Sequence, residues 1–272
     1  MECRFRMNQK LVCLVDRMMH TSYRYYVISV FLSLISALVV WGMMCLTKSS
    51  NSVSMVECLV PKGETKQQIL PDGTKVQLNS GSLLIYPEKF SKRKRTVFLT
   101  GEGYFDVVQK EHTPFVVHTN NHNIKVLGTK FNIQSYPDDS TFAVTLEKGK
   151  IEVKSHCEQK KLDVVLEPGQ CLVHNSVTNN YSLSKVDVQE QLLWKEGCIR
   201  FVMQPLSSIL KTLERAYNIR IRTGNSINLA EKYTMTFNTD ESAEQVIRIL
   251  ALTIDSNVLV RQKGNLVYLE KM

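Results

Sequence analysis

The longest apolar run in the chain, Val27 to Leu46 (VISVFLSLISALVVWGMMCL), extends for twenty residues without a charge. At about 1.5 Å per residue, a helix of that length spans the roughly 30 Å hydrocarbon core of a bilayer. Tyr25, Tyr26 and Trp41 stand near its ends, where amphipathic rings favour the headgroup region. A buried globular helix would keep a polar stripe over five turns, and this run has none. A cleaved signal peptide has a shorter apolar core and a small-x-small site. Here the charged region ahead is long, and Cys45 follows Gly42-Met43-Met44, a poor match to a lipoprotein signal. The pattern predicts one retained transmembrane helix over residues 25–46, between a head (1–24) and a large tail.

In the head, Met7, Leu11, Leu14, Val15 and Met18 follow helical spacing and form one apolar stripe, with Lys10, Arg17 and His20 off it. Such a helix docks a partner, lies on the membrane surface, or continues the span. Residues 47–59 open with the Ser-rich TKSSNSVSM and are predicted to be a linker.

The rhythm then changes to short alternating or β-branched runs: 75–79, 83–86, 96–100, 104–108, 115–118, 124–127, 131–133, 142–146, 151–154, 163–166, 170–173 and 181–186. Turn residues separate many of them, among them Pro71-Asp72-Gly73, Pro137-Asp138-Asp139 and Pro168-Gly169. Many short strands at even spacing predict an all-β sandwich, barrel or solenoid-like domain over 60–188.

From Gln189 the order is different. A strand at 199–202 leads to a helix opened by Pro205, with Leu206, Ile209, Leu210, Leu213 and Tyr217 on one face. Strands follow at 219–222 and 233–237. Ser242 and Gln245 make a capping box for a second helix, and 256–261 with 266–269 close as a hairpin. Residues 189–272 therefore predict a small α+β domain of βαβ-βαββ order. The fold class expected is mostly β, with one transmembrane helix.

Composition changes this picture little. The chain has 272 residues, 43% hydrophobic and 22% charged, with a net charge of +8. Part of that charge is Arg4, Arg6, Lys10, Arg17 and Arg24, which the positive-inside rule explains by a cytoplasmic head. The tail then lies outside the cytoplasm. That location permits disulfides among Cys58, Cys157, Cys171 and Cys198, but spacing assigns no pairing and no CxxC occurs.

No catalytic constellation emerges. Glu102 and Asp106 are four apart on an expected strand and could share a face, but satisfied or solvated carboxylates are the expectation. His112, His118 and His122 straddle an Asn-Asn turn without a cysteine or acidic ligand nearby, so no metal is expected. There is no phosphate loop, nucleophile elbow or HExxH, and no cofactor is expected. The basic run Lys89 to Arg95 (KFSKRKR) lacks the aromatic or helical elements of a nucleic-acid reader, so direct nucleic-acid binding is not expected. It is expected to be a solvated loop, or else a contact with an acidic partner or anionic lipid.

A series of motifs resembles the FecR family of membrane anti-sigma regulators. It runs from Leu70-Pro71-Asp72-Gly73-Thr74 through Gly101-Glu102-Gly103-Tyr104-Phe105-Asp106-Val107, where Gly103 replaces the usual Ala, to Val126-Leu127-Gly128-Thr129-Lys130-Phe131-Asn132-Ile133 and Leu166-Glu167-Pro168-Gly169-Gln170. The motif positions Asp72, Gly73, Thr74, Gly101, Glu102, Phe105, Asp106, Gly128, Thr129, Phe131, Asn132, Pro168 and Gly169 are expected to be structural. Trp194-Lys195-Glu196-Gly197 and Leu213 to Asn218 are similar to the domain that follows in many members, itself similar to the signalling domain of TonB-dependent receptors.

The resemblance implies a non-enzymatic inner-membrane protein with periplasmic C-terminal domains. Its implied partners are the signalling domain of a TonB-dependent outer-membrane receptor and, through the head, an extracytoplasmic-function sigma factor. The candidate sigma contact is the Met7–Met18 stripe. Members usually carry eighty or more cytoplasmic residues, so a head of 24 docks as one helix, folds on binding, or belongs to a truncated product. The alternative is a membrane-tethered periplasmic scaffold or ligand-binding protein without sigma contact.

Overall fold

The structure, a computed structural model, describes residues 25–27, 29–44, 54–155 and 162–271. The head stripe Met7, Leu11, Leu14, Val15 and Met18 lies outside the described residues, as does Cys157. The chain divides into two units, 1–52 and 53–272. The described part of the first is one helix, α1 (Tyr25–Met44), of mean hydropathy 2.3. Phe31, Leu34, Leu38 and Trp41 are all exposed on it, a surface that water alone does not favour. The hydroxyls of Ser29, Ser33 and Ser36 each donate to the carbonyl three residues earlier, which satisfies them without water. Among the described residues, α1 is the one helix long and apolar enough to cross a membrane.

The second unit begins with thirteen strands. They are β1 (Met55–Leu59), β2 (Lys66–Ile69), β3 (Lys75–Leu78), β4 (Leu83–Pro87), β5 (Arg95–Asp106), β6 (Phe115–His118), β7 (His122–Val126), β8 (Lys130–Ser135), β9 (Thr141–Lys148), β10 (Ile151–Ser155), β11 (Asp163–Leu166), β12 (Gln170–Asn175) and β13 (Asn180–Lys185). One continuous path, β11-β10-β7-β6-β5-β8-β9-β12-β13, links most of them, and β1 to β4 attach through β3 and β4 to β5. The alternation expected from sequence is visible in burial: Val97, Leu99, Ile124, Val126, Val144 and Leu146 all turn inward.

Strand β5 organises this sheet. Its first half pairs with β4 and, in parallel, with β6, while its second half pairs with β3 and β8. The parallel register sets Phe115 opposite Arg95, only a short connection after β5 ends at Asp106. Twelve residues of straight strand would separate its ends by roughly 36 Å. The strand must therefore curl, and it does so at Gly101, whose φ of 105° a side chain would strain. The two expected runs, 96–100 and 104–108, are thus one bent strand rather than two. Residues 55–59, placed by the sequence inside the linker, are instead β1, antiparallel to β4.

Beyond β13 the chain forms a short helix α2 (Val188–Leu192) and a 3-10 turn over Leu193–Glu196, neither of which the periodicity predicted. Then come β14 (Cys198–Pro205), α3 (Leu206–Ala216), β15 (Arg220–Thr223), β16 (Lys232–Asn238), α4 (Ala243–Ile254), β17 (Val258–Lys263) and β18 (Leu266–Lys271). This is the expected βαβ-βαββ order. Strands β14 and β16 pair antiparallel; β15 pairs parallel to β18, which also pairs with β17. The Ser242–Gln245 capping box opens α4 with both reciprocal bonds formed. Leu206, Ile209 and Leu213 of α3 and Val246, Ile247 and Leu250 of α4 are buried in one core, separate from the core of the β-region.

Candidate functional site

The resemblance motifs converge on two places. The first is where β5 curls back on itself. Arg95, the last residue of the basic run, is 1% exposed, against the expectation of a solvated loop. Its Nη1 donates to Asp72 Oδ2 at 2.7 Å and to the Val108 carbonyl at 2.8 Å. Its Nε donates to the Thr113 carbonyl at 2.9 Å and its Nη2 to that of Leu127 at 3.2 Å. A buried guanidinium is tolerated because four of its five donors are met and its charge is paired. Asp72 in turn accepts from the Thr74 backbone N–H and hydroxyl, so the Pro71-Asp72-Gly73-Thr74 turn exists to present this carboxylate. Gly128 sits nearby, where a Cβ would lie 2.5 Å from Gln109 Cα. The Thr129 hydroxyl donates to the Lys150 carbonyl. Phe105 and Phe131 stack at 5.2 Å beneath this closure, both wholly buried.

The second place is the junction between the β-region and the α+β region. Glu102 lies 9% exposed at one wall, its Oε2 accepting from Asn79 Nδ2 at 2.8 Å and its Oε1 from Asn132 Nδ2 at 2.9 Å. Burial raises its carboxyl above the ordinary carboxylate value, with the two amides and the more distant Arg215 opposing that shift. Asn132 Oδ1 is buried with no partner among the described residues, as is Trp194 Nε1 across the junction. These groups line a cleft of about 360 Å³ with Tyr136 and Arg215.

Arg215, near the end of α3 and 5% exposed, closes the junction. It meets Asp139 through Nη1 at 3.1 Å and Nη2 at 3.0 Å, lies 3.4 Å from Asp138, and stacks 3.9 Å over the Tyr136 ring. Its backbone carbonyl accepts from the Gly63 N–H at 2.8 Å, in the segment that follows β1. Lys211 of the same helix also donates to the Asp138 carbonyl. On the far side, Lys195 sits 3.7 Å over the Tyr104 ring, and the Tyr104 hydroxyl donates to Glu147 at 2.6 Å. Nothing local in the sequence announced Arg215: its partners lie more than seventy positions away, inside what looked like an ordinary Pro-Asp-Asp turn.

Asp106 pairs with Lys130 at 3.0 Å on a half-exposed surface, so it and Glu102 hold separate partners and form no shared carboxylate site. Gly73 belongs to the Asp72 turn, and Pro168 and Gly169 form the turn before β12. At Gly103 a Cβ would meet the Phe105 ring at 3.2 Å and a Leu78 methyl at 3.3 Å, so alanine would need both side chains to give slightly. His122 is buried, stacked on Phe142 and edge-on to His174, while His112 is exposed. Among the described residues no group of three or more metal-binding side chains is assembled. Cys58 and Cys171 are buried thiols, and Cys198 is half-buried and free.

The junction is thus a polar joint, in which Arg215 is paired with Asp138 and Asp139 and stacked on Tyr136, and Glu102 is held by two amides. Two family models match the regions on either side of it, one described as FecR protein over residues 57–152 and one as FecR, C-terminal over residues 199–269. Two crystal structures of candidate anti-sigma factors from Parabacteroides distasonis share the fold. One is 30% identical with a TM-score of 0.73, covering 80% of this chain and 100% of its own. The other is 31% identical with a TM-score of 0.72, covering 80% of this chain and 99% of its own. No curated protein sequence matches significantly. With both family regions present in order, and relatives aligned over their full length, the chain belongs to the FecR family of anti-sigma factors.

Proposed function

We propose that this chain relays a signal across the inner membrane, from a ligand-loaded TonB-dependent receptor to an extracytoplasmic-function sigma factor, through contacts and without catalysis. Helix α1 is the single span, with the head in the cytoplasm and the domains at 60–188 and 189–272 in the periplasm. The receptor's signalling domain docks on the α+β domain, whose outer strands β16 and β17 each have one neighbour and so offer a backbone edge for strand addition. The apolar stripe Met7, Leu11, Leu14, Val15 and Met18 meets the sigma factor.

The observation that carries this reading is the Arg215 joint. One residue of α3 holds the β8–β9 turn through its side chain and the segment after β1 through its carbonyl. A displacement of the α+β domain is thereby passed to the strand that leads back to the membrane. The test is capture of the cognate sigma factor by the full chain, compared with a Leu11→Asp/Leu14→Asp variant. Capture lost in the variant supports the reading. Capture by neither protein, with the wild type correctly inserted, favours a tether or scaffold without sigma contact.

A further inference from the structure

The function proposed above leaves the basic run without a role, although the structure builds it with care. Arg95 anchors the far end of the loop in the closure of β5. Phe90, in the middle, packs edge-on against Phe115 with ring centroids 6.1 Å apart. The Ser91 hydroxyl accepts from the N–H groups of Arg93 and Lys94 and donates to the Lys94 carbonyl, which ties the tip into a turn. Lys89, Lys92, Arg93 and Lys94 point from this pinned turn into solvent, and none forms an ion pair among the described residues. Lys89, Lys92 and Lys110 line a cleft of about 320 Å³ together with the paired Asp72 and Arg95, while Glu88 is the one acid within the loop. Ordering like charges side by side raises their mutual repulsion, which an unpinned chain would relieve by spreading.

The loop also has a definite address. It leaves β4 at Pro87, whose register partner is Met55, the first residue of β1, and the Glu88 N–H donates to the Ser54 carbonyl at 3.0 Å. The cations therefore flank the point where the chain arrives from α1. Residues 45–53 separate the two, and nine residues reach no further than about 32 Å when fully extended. The loop lies some forty-five positions beyond α1, too far along the chain for the positive-inside rule to account for its charge.

We infer that the Lys89–Lys94 turn is a membrane-contact surface, which seats the β-domain on anionic phospholipid headgroups next to its own anchor. The inference rests on α1 being inserted in the bilayer. Each cation held at an anionic surface improves partition about fivefold, and the tether supplies the high local concentration that a four-charge patch needs. Contact fixes the β-domain against the bilayer, so that movement of the α+β domain is resisted at one end rather than dissipated by free rotation.

The test is hydrogen exchange of the full chain in nanodiscs of phosphatidylglycerol and in nanodiscs of phosphatidylcholine. Amides of residues 88–94 should exchange at least about fivefold more slowly over phosphatidylglycerol. The difference should vanish near 1 M salt, where screening falls to about 3 Å. It should also vanish in a Lys92→Glu/Arg93→Glu/Lys94→Glu variant, whose substituted side chains are all exposed and leave Arg95 intact. Equal exchange over both lipids, or slowing that survives the triple substitution, overturns the inference while leaving the anchor unaffected. Protection that arises only on adding the receptor's signalling domain shows an acidic protein partner instead and overturns it too. A chain that fails to co-isolate with either nanodisc overturns the anchor and, with it, this contact.

Discussion

Asp72 and Arg95 face each other at 2.7 Å with side chains 3% and 2% exposed, and such a pair is costly to break from one side. Asp72→Ala leaves a guanidinium buried without its counter-charge and is expected to lower stability by about 3–5 kcal/mol. Asp72→Ala combined with Arg95→Met should be less harmful than Asp72→Ala alone, since no charge then stays buried. Urea midpoints of the single and double variants check this. Glu102 is a different case, because its folded pKa is raised rather than lowered. Its contribution is fully present below its unfolded pKa, about 4.3, and is lost as pH rises through the folded value. Glu102→Gln removes that loss, and its new N–H₂ can donate to Asn132 Oδ1, which has no partner among the described residues, once that amide turns over. The variant should match or exceed the wild type at pH 8. Its advantage should shrink toward pH 4.5, as read from urea midpoints at both values.

At the scale of elements, the bend of β5 and the cap of α4 give contrasting expectations. Gly101→Ala places a Cβ 2.5 Å from Ser82 Oγ and 2.7 Å from Ser82 Cα at a φ of 105°, so backbone must move. A loss above about 2 kcal/mol is expected, with thermal unfolding as the readout. Ser242→Ala removes one half of an exposed capping box and should cost only about 1 kcal/mol. The cap was legible in the sequence because both partners lie within four residues. The α+β order and most β-region strands were legible for the same reason: alternation and turn residues are local. Strand β1 was not, because only Cys58 of its five residues is buried and the Ser-rich stretch runs directly into it. Strand β2 (Lys66–Ile69) is almost wholly polar and lies beside a single neighbour, β3. Gly101-Glu102-Gly103 has turn composition, which is why the sequence reads two runs, 96–100 and 104–108, where the structure has one bent strand. Arg95 and Arg215 look like surface cations in sequence, and only closure of distant elements shows that both are buried and paired.

For the whole molecule the question is how one end affects the other, and Arg215 is the residue through which the two folded regions meet most firmly. Arg215→Ala deletes its contacts to Asp138 and Asp139 and the Tyr136 stack, and leaves Asp139, 10% exposed at its side chain, without its cation. Loss of one partner from so buried a pair, together with the cation–π contact, is expected to weaken the junction by about 3 kcal/mol. The α+β core itself, built on Leu206, Ile209, Leu213, Val246 and Leu250, does not depend on the guanidinium. The variant should therefore unfold in two transitions where one is expected of the wild type, and protease should cut first around α2, between the two cores. If the proposed relay is right, the same variant should still bind the receptor's signalling domain with unchanged affinity, yet give little inducible output from a sigma-dependent reporter. Asp139→Asn, which keeps a hydrogen-bonding group opposite Arg215, should fall between the two. Normal induction by Arg215→Ala, despite two separate unfolding transitions, would show that the signal does not travel through this joint.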